Sequence, residues 1–258
     1  MKRTTYVIIL AAVTIFCIIF GAYINLKHSG KGIKKAGKAV SKALSKDYLK
    51  IDDDDDWFDS EEYDDDDNDD TMKFNSELLE PFDVISVEGS VLGLVISRGS
   101  TYSIDARYND SRLQPQYSLK NGRLYITQKK KIRRLVGNNK CKVTITVPYG
   151  IVLDRLNIDV DVGAVELSGF DVDTASISTD VGAIDISKVD FKDFVIKSDV
   201  GAVSIELLDD VQKYEINASS DIGAIVVNDV SKKRRYNQNG SNGKRIKINT
   251  DVGGIEIK

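Results

Sequence analysis

The sequence has 258 residues, of which 41% are apolar and 29% charged, and its formal net charge is -4. Residues 1–51 carry +9, residues 52–70 carry -14 and residues 71–258 carry +1. The long C-terminal part therefore has no charge excess that would attract nucleic acid. The sequence has two cysteines, Cys17 and Cys141, in regions that are not expected to meet, and this excludes a disulfide framework. Because His28 is the one histidine and there is no cysteine cluster, zinc sites and histidine-based triads lack their usual residues.

A membrane helix is predicted at residues 6–26, after a short N-terminal tail of residues 1–5. This stretch, YVIILAAVTIFCIIFGAYINL, has 21 residues without a charge, which is enough to cross a hydrocarbon layer of about 30 Å. A cleaved signal peptide and a buried soluble helix are the alternatives. The lysines that follow residue 26 outnumber Lys2 and Arg3, so the positive-inside rule alone places the C-terminal side in the cytoplasm.

Two charged segments follow the predicted anchor. Residues 27–51 place lysines opposite apolar residues at helical spacing, a pattern typical either of a basic helix on anionic lipid or of a solvated helix. Residues 52–72 include 14 acidic side chains, and such a block repels itself. We expect a disordered linker there, with loose divalent-cation binding or pairing with the lysines as alternatives.

From residue 73 onward the pattern predicts strands. Short β-branched runs alternate apolar with polar residues, Asn121-Gly122 is a hairpin signal, and residues 142–147 form a further strand. Two basic runs, at 129–134 and 232–235, are either solvated loops or patches for a polyanion. Residues 73–258 are therefore predicted to form one all-β domain.

A five-fold repeat dominates this domain. The motif Asp-Val/Ile-Gly-Ala/Gly recurs with its glycines spaced by 19, 19, 22 and 30 residues, a period typical of a β-solenoid coil. Inward alternation through Val162 resumes at Val165, so the strand must turn between them. A positive φ is expected at these corners, which are Gly163, Gly182, Gly201, Gly223 and Gly253. The extra residues of the last interval, 237–243 among them, are expected to form a protruding loop.

Each corner carries an aspartate, and the coils should stack these carboxylates in one row. The row consists of Asp161, Asp180, Asp199, Asp221 and Asp251. Like charges about 5 Å apart repel, so each carboxylate is expected to accept backbone N–H groups of its own corner. The alternatives are a ladder of divalent cations such as Ca²⁺ and a carbohydrate-binding face; the glycine-rich calcium motif of β-rolls is missing.

The segments TITVPYG, LDRLNIDVDVGAVELSGF, STDVGAIDIS, KSDVGAVSIE and NTDVGGIEIK resemble the putative adhesin family of bacterial β-strand-repeat envelope proteins, a domain of unknown function. The likeness covers residues 82–258. It implies a β-solenoid behind an N-terminal membrane segment, outside the cytoplasmic membrane, with no established catalytic residues. This outward placement conflicts with the lysine distribution.

The sequence thus predicts an all-β, single-stranded parallel β-solenoid with about 19-residue coils, preceded by a transmembrane helix. The leading hypothesis is a non-enzymatic, single-pass adhesin or envelope-sensing protein whose partners are the membrane and an envelope polymer or protein. A self-assembling scaffold is the second hypothesis, because residues 255–258 keep the strand pattern and suggest an uncovered end. A polysaccharide-active enzyme is the third, although the aspartates form a regular pattern rather than a catalytic pair.

Overall fold

The computed structural model describes residues 73–128 and 139–258. The predicted tail, membrane helix, basic stem and acidic linker, residues 1–72, lie outside the described residues, as does the basic run at 129–134. Within the described ranges, no helix is long and apolar enough to cross a membrane. The described chain is all-β, as predicted, and contains sixteen strands and two short 3₁₀ helices.

The first seven strands precede the regular coils, and the remaining nine form or cover them. The strands are β1 Lys73–Leu78, β2 Val84–Val91, β3 Gly93–Gly99, β4 Ser103–Tyr108, β5 Gln116–Lys120, β6 Arg123–Thr127, β7 Cys141–Pro148, β8 Val152–Ser168, β9 Asp171–Ser187, β10 Asp190–Glu206, β11 Glu215–Ile222, β12 Ile225–Val227, β13 Val230–Lys232, β14 Arg235–Gln238, β15 Arg245–Val252 and β16 Ile255–Ile257. The 3₁₀ helices are Ser111–Leu113 and Val211–Lys213. The predicted hairpin at Asn121-Gly122 is confirmed, because β5 and β6 pair antiparallel across it.

Three central coils, β8, β9 and β10, stack in parallel and in chain order. Each is one 17-residue strand, and residue n faces residue n + 19 of the next coil, as Gly163 faces Gly182 and Gly182 faces Gly201. The turns between coils use left-handed residues, Gly169 (φ 69°) and Lys188 (φ 54°). The 19-residue repeat of the sequence is therefore one coil of a solenoid-like stack.

The core runs through the stack as columns of apolar side chains. In β9, inward-facing residues form three groups separated by two phase changes, and these are Val172, then Ala175, Ile177 and Thr179, then Ile184 and Ile186. Residues at equivalent positions of neighbouring coils complement each other in volume, as small Ala175 does against Phe194. Removing such side chains from water contributes about 1.5–3 kcal/mol each for the larger ones.

At the C-terminal end of the stack, the spatial order of the coils differs from their order in the sequence. The last repeat, β15 with β16, pairs on one side with β10 and on the other with β11 and β12. The fifth repeat therefore lies between the third and the fourth, and the expectation of an uncovered C-terminal end is wrong. The outermost coil is covered instead by antiparallel strands, since β14 pairs with β11 and β13 pairs with β12.

The N-terminal end has the same arrangement. The earliest coil, β2 with β3, lies between β8 and a coil made of β6 and β7, which come later in the chain. Antiparallel β5 covers β6, and antiparallel β4, followed by β1, covers β7. The sequence predicts that the extra residues before the last repeat form a protruding loop. Asn237 and Gln238 belong instead to the covering strand β14, and residues 239–243 form a loop in which the N–H groups of Ser241 and Asn242 donate to the carbonyl of Lys213. Both outermost coils thus have paired edges.

Candidate functional site

The repeated motif forms one continuous band along the outside of the stack, which we call the corner surface. It consists of an aspartate row, an aliphatic row and a glycine row that run in the spatial order of the coils. The aspartate row is Asp161, Asp180, Asp199, Asp251 and Asp221, the aliphatic row is Val162, Val181, Val200, Val252 and Ile222, and the glycine row is Gly163, Gly182, Gly201, Gly253 and Gly223. The sequence predicted the aspartate and glycine rows, and the structure brings both together.

The glycine row is required by close approach between coils. A Cβ added to Gly182 would lie 1.7 Å from the carbonyl oxygen of Gly163, and one added to Gly201 would lie 1.6 Å from that of Gly182. The same contact recurs at the other three corners, at 1.6–1.9 Å. Of the five, only Gly163 has a positive φ, 156°, so the expectation of left-handed corners is wrong and backbone contact between coils explains the repeat.

The aliphatic row points outward, contrary to the expectation that Val162 faces the core. Val162 is 45% exposed, Ile222 44% and Val181 37%. Inward alternation stops at Val160 and resumes at Val165, so the corner spans four residues rather than two. The hydrophobic pattern could not reveal this, because single exposed apolar residues are common. Five of them in register make an apolar stripe about 20 Å long.

A row of small hydroxyl side chains lies buried just before the aspartates. Thr179 Oγ1 donates a hydrogen bond of 3.2 Å to Ser198 Oγ, and Ser220 Oγ donates one of 2.9 Å to the carbonyl of Gly253. Thr250 Oγ1, also buried, has no hydrogen-bond partner in the described part of the chain. Sequence reasoning missed this row, although Ser or Thr precedes aspartate in four of the five repeats.

The five aspartates are exposed, and the structure gives none of them a hydrogen bond or an ion pair among the described residues. The expected bonds from corner backbone N–H groups are therefore not seen. Partial burial raises the pKa of Asp180 above its ordinary value, and repulsion from Asp199 and Asp161 raises it further. The row is a line of mutually repelling carboxylates directed at solvent.

Within residues 73–128 and 139–258, no group of three or more His, Cys, Asp or Glu side chains converges as metal ligands would. The cation ladder stays a prediction, and it requires each exposed aspartate to contact the ion through a single carboxylate oxygen. Cys141 is buried, and burial raises the pKa of its thiol to about 12, so it is a packing residue rather than a nucleophile at neutral pH.

The profile of the family described as Toastrack DUF4097 matches residues 84–223. Among solved structures, a putative cell adhesion protein from Clostridium sporogenes is similar to this chain at 18% identity, over 72% of this chain and 99% of its own, with a TM-score of 0.55. A putative adhesin from Bacteroides fragilis has 16% identity over 72% of this chain and 97% of its own, with a TM-score of 0.33. No curated protein matches the chain. The first likeness supports the fold alone.

Proposed function

The chain belongs to the Toastrack DUF4097 family, as the resemblance predicted, and from this premise we propose that it is a non-enzymatic, membrane-anchored adhesin-like protein of the bacterial envelope that binds through its corner surface. The observation that carries the proposal is the outward-facing aliphatic row beside five aspartates that have no partner among the described residues. Folding alone gives no reason to align an apolar stripe with a row of like charges along one face of the stack.

The regularity of the band supports binding. Five equivalent Asp-Val/Ile pairs recur at the coil spacing of about 4.8 Å, so an extended ligand makes the same weak contact several times and gains avidity. Catalysis by paired carboxylates needs two groups in different environments. Here the aspartates occupy equivalent positions in successive coils, and this favours recognition over the polysaccharide-cleaving alternative.

The predicted anchor at residues 6–26, the basic stem at 27–51 and the acidic linker at 52–72 complete the proposal. They would hold the folded domain outside the cytoplasmic membrane with the corner surface free to meet an envelope partner. The name of the structural neighbour from Clostridium sporogenes, a putative cell adhesion protein, is consistent with this role. The self-assembling alternative loses its main support, because the last strand is inserted in the stack rather than exposed at its end.

Protease treatment of intact cells tests the placement. We expect the folded domain, detected through an epitope after Lys258, to be lost from intact cells under conditions that spare a cytoplasmic control. Survival of the epitope while a known surface protein is cleaved would contradict outward placement.

A substitution series tests the corner surface itself. Replacing Val162, Val181 and Val200 by Thr keeps β-branched residues in the strands but removes the apolar stripe from the three central coils. We expect the full-length variant to lose at least about tenfold in affinity for isolated cell envelopes, with an unchanged melting temperature. The matched control replaces exposed Val152 and Val230 by Thr and should bind as the wild type does; equal losses in both variants would contradict a role for this band.

A further inference from the structure

A second feature lies on a different face, at the N-terminal end of the stack. A cleft of about 180 Å³ is lined by Val84, Ser86, Arg123, Tyr125, Asp154, Arg155 and Asn157. These residues come from the outward faces of three neighbouring parallel strands, β6, β2 and β8, and from the residues at their starts. Valine and serine on the middle strand form a low floor, and longer side chains on the outer strands form the two walls.

The cleft has a fixed frame. The carbonyl of Gly122 accepts hydrogen bonds from Asp83 N (3.0 Å) and Val84 N (3.2 Å), and the carbonyl of Asp83 accepts one from Asp154 N (2.8 Å). These bonds lock the starts of the three strands together. The register then places Arg123 and Arg155 on either side of Val84, with two strand spacings, about 10 Å, between their backbones.

Among residues 73–128 and 139–258, the two guanidinium groups have no carboxylate partner. Some other arginines of the described chain have them, such as Arg98 with Asp171 at 2.8 Å and Arg245 with Asp193 at 2.6 Å. The described residues offer the guanidinium groups of Arg123 and Arg155 no ion pair or hydrogen bond. The cross-strand neighbour of Arg123 is Lys120, a further cation without a described partner. Placing like charges side by side costs stability, and a bound anion would offset that cost.

The next level of the cleft carries neutral polar groups. Two residues further along the three strands, about 7 Å from the level of Val84, Ser86 lies between Tyr125 and Asn157. Tyr125 is 38% exposed, so a ligand can reach its ring, while the serine hydroxyl and the asparagine amide can bond to hydroxyl groups. Asp154, in the wall, reduces the net charge of the lining residues to about +1, which favours a singly charged ligand group over a dense polyanion.

We propose that this cleft binds an acidic sugar unit of an envelope glycan, with its carboxylate or phosphate between Arg123 and Arg155 and its ring against Tyr125. Planar guanidinium groups bind such oxyanions with paired hydrogen bonds, and a sugar ring packs its C–H face on an exposed aromatic ring. The inference gives the proposed adhesin a ligand class and rests on that proposal only for its biological setting.

Titration calorimetry of the full-length protein in neutral detergent micelles tests the cleft. The probes are oligogalacturonate as the carboxylate source, a phosphodiester-linked oligosaccharide as the phosphate source, and neutral dextran. We expect one acidic probe to bind and dextran not to bind. The probe that binds identifies the acid group, whereas the absence of heat with both acidic probes would overturn the proposal. Because calorimetry does not depend on cellular placement, its outcome is separate from that of the protease experiment.

The decisive variant is Arg123→Gln with Arg155→Gln. The matched control is Arg234→Gln with Arg235→Gln, which removes the same charge from two exposed arginines that also lack described partners. We expect the cleft variant to weaken binding by at least about tenfold and the control by less than about twofold. Equal weakening would show general charge attraction and overturn the site. A third variant, Tyr125→Ser, should weaken binding of the acidic saccharide probe but leave the weak binding of acetate unchanged. Unchanged binding of the saccharide probe would refute the sugar contact.

Discussion

In the three central coils chain order and spatial order coincide, whereas at both ends of the stack they do not. Coils β8, β9 and β10 follow one another at a constant 19-residue offset. At each end, the coil that comes first or last in the folded chain is the second coil from the end of the stack. A coil from elsewhere in the sequence occupies the outermost position. The comparison separates two tasks: the repeat builds the stack, and the irregular segments close it.

The two closures use similar parts built from unrelated sequences. Each contains a 3₁₀ helix capped by an aspartate, Asp110 or Asp210, whose side chain accepts the N–H two residues on. Each also has a glutamine that donates to backbone carbonyls of that region: Gln128 Nε2 to Leu113 O at 2.6 Å and Gln238 Nε2 to Val211 O at 2.7 Å. Antiparallel strands then cover the outermost coil. Open edges of parallel coils invite aggregation, and both ends avoid them.

The largest expected effect comes from deleting residues 245–258. If the last repeat formed an end coil, its loss would shorten the stack and leave the rest cooperative. Because it lies between β10 and β11, its loss breaks the stack in two, and we expect no cooperative thermal unfolding by circular dichroism. Adding a peptide of residues 245–258 should restore the transition. A deletion variant that melts cooperatively without the peptide would contradict the insertion.

The adjacent glycines of the last repeat give the next largest effect. A Cβ at Gly253 would lie 1.6 Å from the carbonyl oxygen of Gly201, so Gly253→Ala should lower the free energy of unfolding by about 4 kcal/mol or more. Gly254 occupies the position that Ala fills in the other four repeats, and Gly254→Ala should change it by less than about 1 kcal/mol. Urea denaturation measures both, and similar values for the two variants would argue against backbone contact as the reason for the glycine row.

The two end glutamines should differ in effect. Gln128 is buried, and its Oε1 accepts the N–H groups of Ser90 and Val91, both at 3.1 Å. Gln128→Ala leaves these groups unpaired and should cost about 2–3 kcal/mol of unfolding free energy. Gln238 is half-buried, so water can replace its bonds, and Gln238→Ala should cost about 1 kcal/mol.

Thermal melts of these two variants, with exposed Gln116→Ala as the control, measure the difference between the ends. A smaller decrease in melting temperature for Gln128→Ala than for Gln238→Ala would mean that the N-terminal closure does not depend on the buried glutamine.

The sequence predicted the central coils and the aspartate and glycine rows at their corners because these features depend on local repetition. The 19-residue spacing sets the coil, and Asn121-Gly122 sets its hairpin. The position of β15 could not be predicted, because its alternation fits any coil of the stack equally well. The cleft could not be predicted either, since Arg123 and Arg155 meet only once β2 is inserted between β6 and β8.

The smallest expected effect concerns charge on the corner surface of the central coils. The pKa of Asp180 is raised, first by partial burial and then by neighbouring aspartates, so the folded state binds its proton more tightly than the unfolded chain does. Stability then falls as the pH rises through the folded pKa. Asp180→Asn should therefore raise the melting temperature at pH 7 by about 1–3 °C, and the gain should vanish at a pH well below the ordinary aspartate value.

The control for this effect is Asp173→Asn, because Asp173 lies on the same coil but pairs with Lys192 at 2.7 Å. This variant should not be stabilised at pH 7.

The same melts with calcium or with chelator test the cation ladder, since a ligand that binds only the folded state must raise the midpoint. If calcium raises the midpoint of the wild type and Asp180→Asn removes that shift, the row binds cations. If calcium changes nothing while Asp180→Asn stabilises, the carboxylates repel one another without a bound ion.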